Sequence, residues 1–181
     1  TTPYIFAGLA VALGFRGGLF NIGAEGQLFV GGLASAFVGY SLSDWPMFVH
    51  LPLAILAGLS AGGLWGAIPG FLKARTGAHE VINTIMMNYI AFRLTDYLLT
   101  GPMQRPDGLP ITPQITPTAY LPTLLPQPVR LHWGFFLALG AAALVYWFLW
   151  KTPRGMEIRM TGANPSGARY AGIRIAFIIV L

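Results

Sequence analysis

The sequence predicts an all-α, polytopic membrane protein with about five to six transmembrane helices. Hydrophobic residues make up 55% of the 181 residues and charged residues only 9%, whereas a soluble domain carries about 25% charged residues. The apolar residues also form long blocks, as membrane-spanning helices require. Lysine and arginine are concentrated in alternate connections between these blocks, which is the charge bias of a multi-pass topology.

Six apolar blocks predict the helices in chain order. They are residues 3–15, 27–42, 49–72, 81–99, 133–150 and 175–181. Tryptophans at both ends of the fifth block suit the two membrane interfaces. The first and last blocks are shorter than the about 20 residues of a full span, and the chain starts with Thr1. We therefore expect one transmembrane domain over residues 1–181 that continues at both ends in a longer protein.

The connections predict the orientation in the membrane. Residues 101–130 hold eight of the fourteen prolines, which predicts a loop outside the hydrocarbon because proline disfavours helix. That loop and the connection at residues 43–50 contain only Arg105 and Arg130, whereas the alternate connections contain eight basic residues. The eight are Arg16, Lys73, Arg75, Lys151, Arg154, Arg159, Arg169 and Arg174. Because the side richer in basic residues is cytoplasmic, we expect loop 101–130 to be extracytoplasmic and segment 151–174 to be cytoplasmic.

The sequence lacks the patterns of common enzymes. There is no cysteine and no phosphate-binding loop ending in Lys-Ser or Lys-Thr. The three histidines lie in or beside connections, and the six acids are scattered. We therefore expect no catalytic residue, no metal and no cofactor. The chain has a net charge of +5, and its basic residues lie mainly in the connections predicted to be cytoplasmic. Since membrane orientation explains this distribution, no nucleic-acid partner is expected.

One stretch, "GLFNIGAEGQ" at residues 18–27, places polar side chains between apolar blocks. Its glycines predict a broken helix or re-entrant corner near residues 16–27, and such a break at membrane depth must be covered by protein or water. Its polar residues are Asn21, Glu25 and Gln27. They either line a passage, as broken helices do in many transporters, or Asn21 and Glu25 cap the next helix. Position alone allows both.

A second stretch, "EVINTIMMNYIA" at residues 80–91, carries Glu80, Asn83 and Asn88 in the fourth block. Asparagine in a span hydrogen-bonds across helices or contacts a ligand, and both roles stay open here. The third block carries glycines every four residues, which predicts a smooth stripe for close helix packing. These are Gly58, Gly62, Gly66 and Gly70.

A third stretch, "NPSGARYAGI", lies within segment 151–174. Asn164 as N-cap, Pro165 at the first helical position and Gly172 as a stop predict a short helix there. One interpretation is a helix that docks on another protein. The alternative is a basic surface segment that only fixes topology.

These three stretches, in this order, resemble the permease subunits of bacterial ABC importers, in the branch that handles nucleosides and simple sugars. That branch is related to the ribose and branched-chain amino-acid permeases. The resemblance covers essentially the whole chain; one departure is Gly167, where the family pattern has Ala. It implies a multi-pass permease in the bacterial cell membrane, in contact with lipid. The implied partners are a second permease subunit, ATP-binding subunits that use ATP, and an extracytoplasmic substrate-binding protein.

The resemblance also implies two sets of functional residues. The predicted translocation pathway comprises Asn21, Glu25, Gln27, Glu80, Asn83 and Asn88. The predicted coupling segment contacts an ATPase subunit through Glu157, Arg159, Gly162, Asn164, Pro165, Ala168, Arg169 and Gly172. The alternatives are an ion-coupled secondary carrier, for which only Glu25 is a candidate coupling acid, a branched-chain amino-acid permease of the ABC class, and a membrane enzyme.

Overall fold

The computed structural model describes residues 2–42, 44–124 and 131–180, and these residues are predominantly helical. The helices are α1 (Thr2–Arg16), α2 (Ala24–Ser41), α3 (Met47–Thr76), α4 (Glu80–Thr100), α5 (Gly134–Lys151), α6 (Pro153–Ala163), α7 (Pro165–Tyr170) and α8 (Ile175–Val180). In the described residues, β structure is limited to one isolated antiparallel bridge between Thr123 and His132. The all-α prediction is confirmed.

Two of the described helices, α3 and α5, are long and apolar enough to cross a membrane. Helix α1 is apolar but has only 15 residues. The predicted total of five to six spans remains a prediction.

Two compact units divide the chain. The first comprises Thr1–Ala24, Ala67–Thr84 and Pro122–Leu181, and the second comprises Glu25–Gly66 and Ile85–Leu121. In the first unit, buried Leu149, Ile158 and Ile178 form an apolar cluster, against which Leu13 and Ile173 pack. This cluster joins α1, α5, α6 and α8. The extent of the transmembrane domain over residues 1–181 stays a prediction.

The helix boundaries agree with the apolar blocks to within a few residues, except in segment 151–174. There the sequence predicts one short helix, whereas the structure has α6 before α7. The described part of the loop 101–130 contains one 3₁₀ turn, Pro117–Ala119, and otherwise no helix. Its residues 125–130 lie outside the described residues.

Candidate translocation and coupling sites

The predicted break in the first polar stretch is present between α1 and α2. Helix α1 ends at Arg16 and α2 begins at Ala24. Gly18 has φ +76°, a left-handed conformation that side chains other than glycine rarely adopt. Residue 18 therefore turns the chain out of α1. The seven-residue stretch 17–23 is called the corner below.

Within the first unit, the corner is held by hydrogen bonds to its own backbone and to α4. The Asn21 Oδ1 atom accepts from the Gly23 amide at 2.8 Å, and the Ile22 amide donates to the Thr84 hydroxyl at 3.3 Å. A Cβ built on Gly23 would lie 3.2 Å from the Thr84 Cβ. Asn21 thus satisfies a backbone donor within the corner, just before α2, and not one of the first amides of the helix itself. This contact leaves the Asn21 amide nitrogen for other partners.

Two further predicted pathway residues lie at the start of α4. The Lys73 Nζ atom donates to the Glu80 carboxylate at 2.6 Å. This hydrogen bond lowers the pKa of Glu80, which precedes the predicted span at residues 81–99. Asn83 is half-buried, and its Nδ2 atom is shut off from solvent without a hydrogen-bond partner in the described residues. A buried amide donor without a partner is costly, so Asn83 is a candidate for contact with a further polar group.

In the second unit, Glu25 and Asn88 have different environments. Glu25 is exposed in the first turn of α2, where a carboxylate suits the helix dipole. Asn88 is buried, and its Oδ1 atom accepts from the Gly26 amide at 2.9 Å. The first amides of a helix have no partner within it, so Asn88 of α4 caps α2 from a neighbouring helix. The cross-helix role predicted for asparagine is therefore present at Asn88.

Gln27 belongs to α2 and packs against the glycine stripe of α3. A Cβ built on Gly66 would lie 2.7 Å from the Gln27 Nε2 atom, and one on Gly62 would lie 3.1 Å from the Gln27 carbonyl oxygen. One on Gly58 would lie 3.1 Å from the Gly31 carbonyl oxygen. Since these three glycines allow α2 and α3 to approach at backbone distance, this part of the stripe packs as predicted. In the first unit, Gly70 packs against α8 at Ile179.

The six pathway candidates therefore fall into two local groups. Asn21, Glu80 and Asn83 belong to the first unit, and Glu25, Gln27 and Asn88 belong to the second. In the first group the Asn83 Nδ2 atom has no partner in the described residues, and in the second group the Glu25 side chain is exposed. Their role in a passage remains a prediction. In the described part of the chain, no three His, Cys, Asp or Glu side chains come together as a metal site requires.

The predicted short helix of the coupling segment is present as α7. The Asn164 Oδ1 atom accepts from the Gly167 amide at 3.0 Å, and Pro165 occupies the first turn. Ala168 is 1% exposed, whereas Arg169 is exposed. Gly172 follows the helix with φ +81°, a conformation that stops a helix. The sequence therefore encodes both ends of α7 locally.

Helix α6 begins in the same way. The Thr152 hydroxyl accepts from the Gly155 amide at 3.1 Å, and Pro153 is the first helical residue. Glu157 pairs with Arg154 at 3.1 Å. The Arg159 guanidinium lies 4.5 Å from the centroid of the Trp150 ring, and its buried Nε atom has no hydrogen-bond partner in the described residues. Arg159 therefore faces α5 with part of its side chain, while Arg169 of α7 is exposed.

A cleft of about 330 Å³ opens where α6, the end of α7 and α8 meet. Its lining includes Arg154, Glu157, Arg174 and Phe177. The Arg154 guanidinium lies 5.2 Å from the centroid of the Phe177 ring. The cleft is therefore basic and lies beside the predicted coupling residues.

Sequence analysis missed two features of these sites. Helix α6 follows the pair Thr152–Pro153, which has the same cap-then-proline pattern as Asn164–Pro165, so a local signal was present. Thr84 was not among the predicted pathway residues, although it donates to the Glu80 carbonyl at 2.8 Å and accepts from the corner at Ile22. A threonine inside an apolar helix gives no signal for such a tertiary contact.

Comparison with known families shows to which protein family the chain belongs. The family model described as branched-chain amino acid transport system / permease component matches residues 1–181. The chain belongs to this permease family. Its members are transport components rather than enzymes, and they are membrane proteins. The family relationship predicted from the three stretches is confirmed.

Three curated relatives sharpen this comparison. The guanosine ABC transporter permease protein NupP of Bacillus subtilis is 46% identical over 96% of this chain and 50% of its own length. The glucose ABC transporter permease protein TsgB13 of Haloferax volcanii is 39% identical, over 94% of this chain and 47% of its own. The nucleoside ABC transporter permease protein NupB of Lactococcus lactis is 32% identical, over 99% and 51%.

This chain thus spans about half the length of these relatives. All three are named as ABC transporter permeases, which favours the importer prediction over the ion-coupled carrier and the membrane enzyme. No solved structure matches the chain significantly.

Proposed function

We propose that this chain is part of the membrane permease subunit of an ATP-driven importer for nucleosides or simple sugars in a cell membrane. The observation that carries the proposal is the 46% identity to a guanosine permease over nearly the whole chain. Relatives named for glucose and nucleosides extend the substrate class to polyhydroxylated, uncharged molecules. Amide side chains offer both hydrogen-bond donors and acceptors to such molecules. Asn83, with its buried unpartnered Nδ2 atom, fits this requirement.

The chain has no nucleotide-binding motif of its own, so the proposal requires separate ATPase subunits, a second permease and an extracytoplasmic binding protein. Segment 151–174 is the proposed contact with an ATPase subunit. Helix α7 has a capped start, a glycine stop and exposed Arg169. The cap and the glycine stop fix both ends of this short helix, and Arg169 can pair with an acid on a partner.

Crosslinking tests the coupling contact in the complete transporter. The chain has no cysteine, so a single cysteine at exposed Ser166 reports on α7 alone. We expect a bifunctional thiol reagent to join it to a cysteine on an ATPase subunit. A cysteine at Thr112 is the matched control and should not crosslink. Failure to crosslink at every position from 162 to 170 would contradict the docking role.

The same two cysteines test the orientation. In intact cells, an impermeant thiol reagent should label the cysteine at Thr112 and spare the one at Ser166, because the basic bias predicts that residue 166 is cytoplasmic. Labelling of Ser166 from outside would overturn the topology.

Uptake assays test the substrate class and the pathway. Cells that depend on the complete transporter should take up radiolabelled guanosine or glucose, but not leucine, which would instead support the amino-acid alternative. Glu25→Gln removes a charge and keeps the size of an exposed side chain. If Glu25 lines the passage, we expect uptake to fall about tenfold while the amount of assembled complex stays constant. Loss of complex with normal uptake per complex would show a structural role.

A further inference from the structure

The corner and helix α6 meet through glycine backbones in the first unit. A Cβ built on Gly162 would overlap the Arg16 carbonyl oxygen and lie 2.8 Å from the Gly18 amide nitrogen. A Cβ built on Gly18 would lie 3.0 Å from the Gly162 Cα atom. Both positions therefore exclude any side chain, because the two backbones are already in contact. This contact joins two stretches that lie more than 140 residues apart in the sequence.

Side chains reinforce the same contact on both sides. A Cβ built on Gly17 would lie 3.6 Å from the Ile158 Cγ2 atom, and Ile158 is 4% exposed in the apolar cluster of this unit. The Arg16 and Arg159 guanidiniums lie 5.0 and 4.5 Å from the centroid of the same Trp150 ring. A cation over an aromatic ring is attracted by its electron-rich face, so both arginines hold the same ring. The end of α1 and one face of α6 are thus packed at three points.

Helices α6 and α7 are joined by Asn164 alone. Its backbone amide donates to the Met160 carbonyl at 3.0 Å, closing α6, while its side chain caps α7. On its other side, the corner is tied to α4 through the bond from Ile22 to Thr84. Contacts within this unit therefore run continuously from α7 through α6 and the corner to the start of α4, where Asn83 and Glu80 lie.

We propose that the Gly162–Gly18 contact is a rigid joint, through which movement of the coupling segment reaches the polar corner. Close-packed backbones transmit displacement because no flexible side chain lies between them. Gly162 is thereby a positioning residue: its backbone packs against residues 16–18 and keeps α6 at a fixed distance from the corner. This inference rests on the proposed importer function.

The test is Gly162→Ala in the complete transporter reconstituted in liposomes. Alanine favours a helix over glycine, so any loss arises from the added methyl group pushing residues 16–18 away. We expect substrate-stimulated ATP hydrolysis and uptake to fall at least fivefold, while the amount of assembled transporter stays constant. Gly140→Ala in α5 is the matched control, because a Cβ there meets no atom of the described residues within 4 Å.

The outcomes separate the joint from the proposed function. Normal stimulation in Gly162→Ala, equal to that of Gly140→Ala, would overturn the joint and leave the importer intact. Absence of the Ser166 crosslink and of stimulation in the parent transporter would instead overturn the proposed function.

If Gly162→Ala fails to assemble, a pair of cysteines introduced at Gly17 and Ile158 tests whether the joint is rigid. Oxidation should join the two cysteines and leave at least half of the stimulated hydrolysis, because a rigid joint does not open during the cycle. Reversible loss of stimulation on oxidation, or no disulfide at all, would overturn the joint.

Discussion

Two long polar connections interrupt the helices of this chain, and they are ordered by different means. Segment 151–174 forms α6 and α7, and each helix begins with a capping side chain followed by proline. The described part of loop 101–130 stays almost entirely non-helical, and a buried histidine from another part of the chain holds it. The first connection is therefore encoded by neighbouring residues, whereas the second depends on a tertiary contact.

The histidine that holds the loop is His50 of α3, which is completely buried. Its Nε2 atom lies 3.0 Å from the Val38 carbonyl oxygen and its Nδ1 atom 2.8 Å from the Thr118 hydroxyl. Because a carbonyl oxygen can only accept, Nε2 carries a proton. The Thr116 amide also donates to the Gly39 carbonyl at 3.0 Å. The loop is thus attached to the end of α2 and the start of α3.

Ala168→Pro should have the largest effect on the locally encoded segment. Proline removes the amide that donates to the Asn164 carbonyl at 2.9 Å, and its ring clashes with that carbonyl, at a cost of about 3 kcal/mol or more. We expect substrate-stimulated ATP hydrolysis to be abolished while the permease still inserts in the membrane. Hydrolysis in liposomes and the amount of membrane-bound permease are the two measurements.

Ser166→Ala is the control for this change, because it alters an exposed side chain in the same helix. Normal stimulation in Ala168→Pro would show that the fold of α7 does not matter for coupling. Segment 151–174 would then only set the topology.

His50→Leu should have the next largest effect, and it should be confined to the other connection. The substitution leaves the Thr118 hydroxyl without its histidine partner and removes a donor from the Val38 carbonyl, which we expect to cost about 2–3 kcal/mol. The loop should then detach, so limited proteolysis of the purified permease should cut within residues 101–124 several times faster. Thr118→Val removes one of the two bonds and should give an intermediate rate.

His79→Leu is the matched control, because His79 is exposed in another connection. Equal cleavage rates in the His50 and His79 variants would show that the loop is ordered without the histidine. The distinction between the two connections would then be lost.

The contrast between local encoding and tertiary contacts also explains which features could be predicted from the sequence. Apolar blocks gave the positions of the helices, and the residues Asn164, Pro165 and Gly172 gave both ends of α7, because caps and stops act through neighbouring residues. The sequence predicts His50 only in or beside a connection, since nothing in its neighbourhood indicates a contact with Thr118, which lies 68 residues away. Likewise, Asn88 was identified as polar, but its bond to Gly26 depends on the packing of α2 against α4.

The pathway candidates show most clearly what cannot be predicted from the sequence alone. The sequence shows that these residues are polar and lie within or beside apolar blocks. Whether each polar atom is used for packing depends on the fold: Asn88 caps α2, whereas the Nδ2 atom of Asn83 has no partner in the described residues. Only the structure separates these two cases.

The smallest effect is expected from Asn164→Ala, which removes the cap of α7 and leaves the rest of the segment unchanged. The lost bond is the one from the Gly167 amide to Asn164 Oδ1 at 3.0 Å. Since Asn164 is exposed, water can replace its side chain, and the cost should be about 1 kcal/mol, as for other N-caps. Pro165 still fixes the first helical residue. We therefore expect stimulated hydrolysis to fall by about two- to fivefold, compared with its complete loss in Ala168→Pro. Asn164→Asp retains the acceptor and should keep full stimulation, so an equal loss in the Ala and Asp variants would show that position 164 acts through something other than capping.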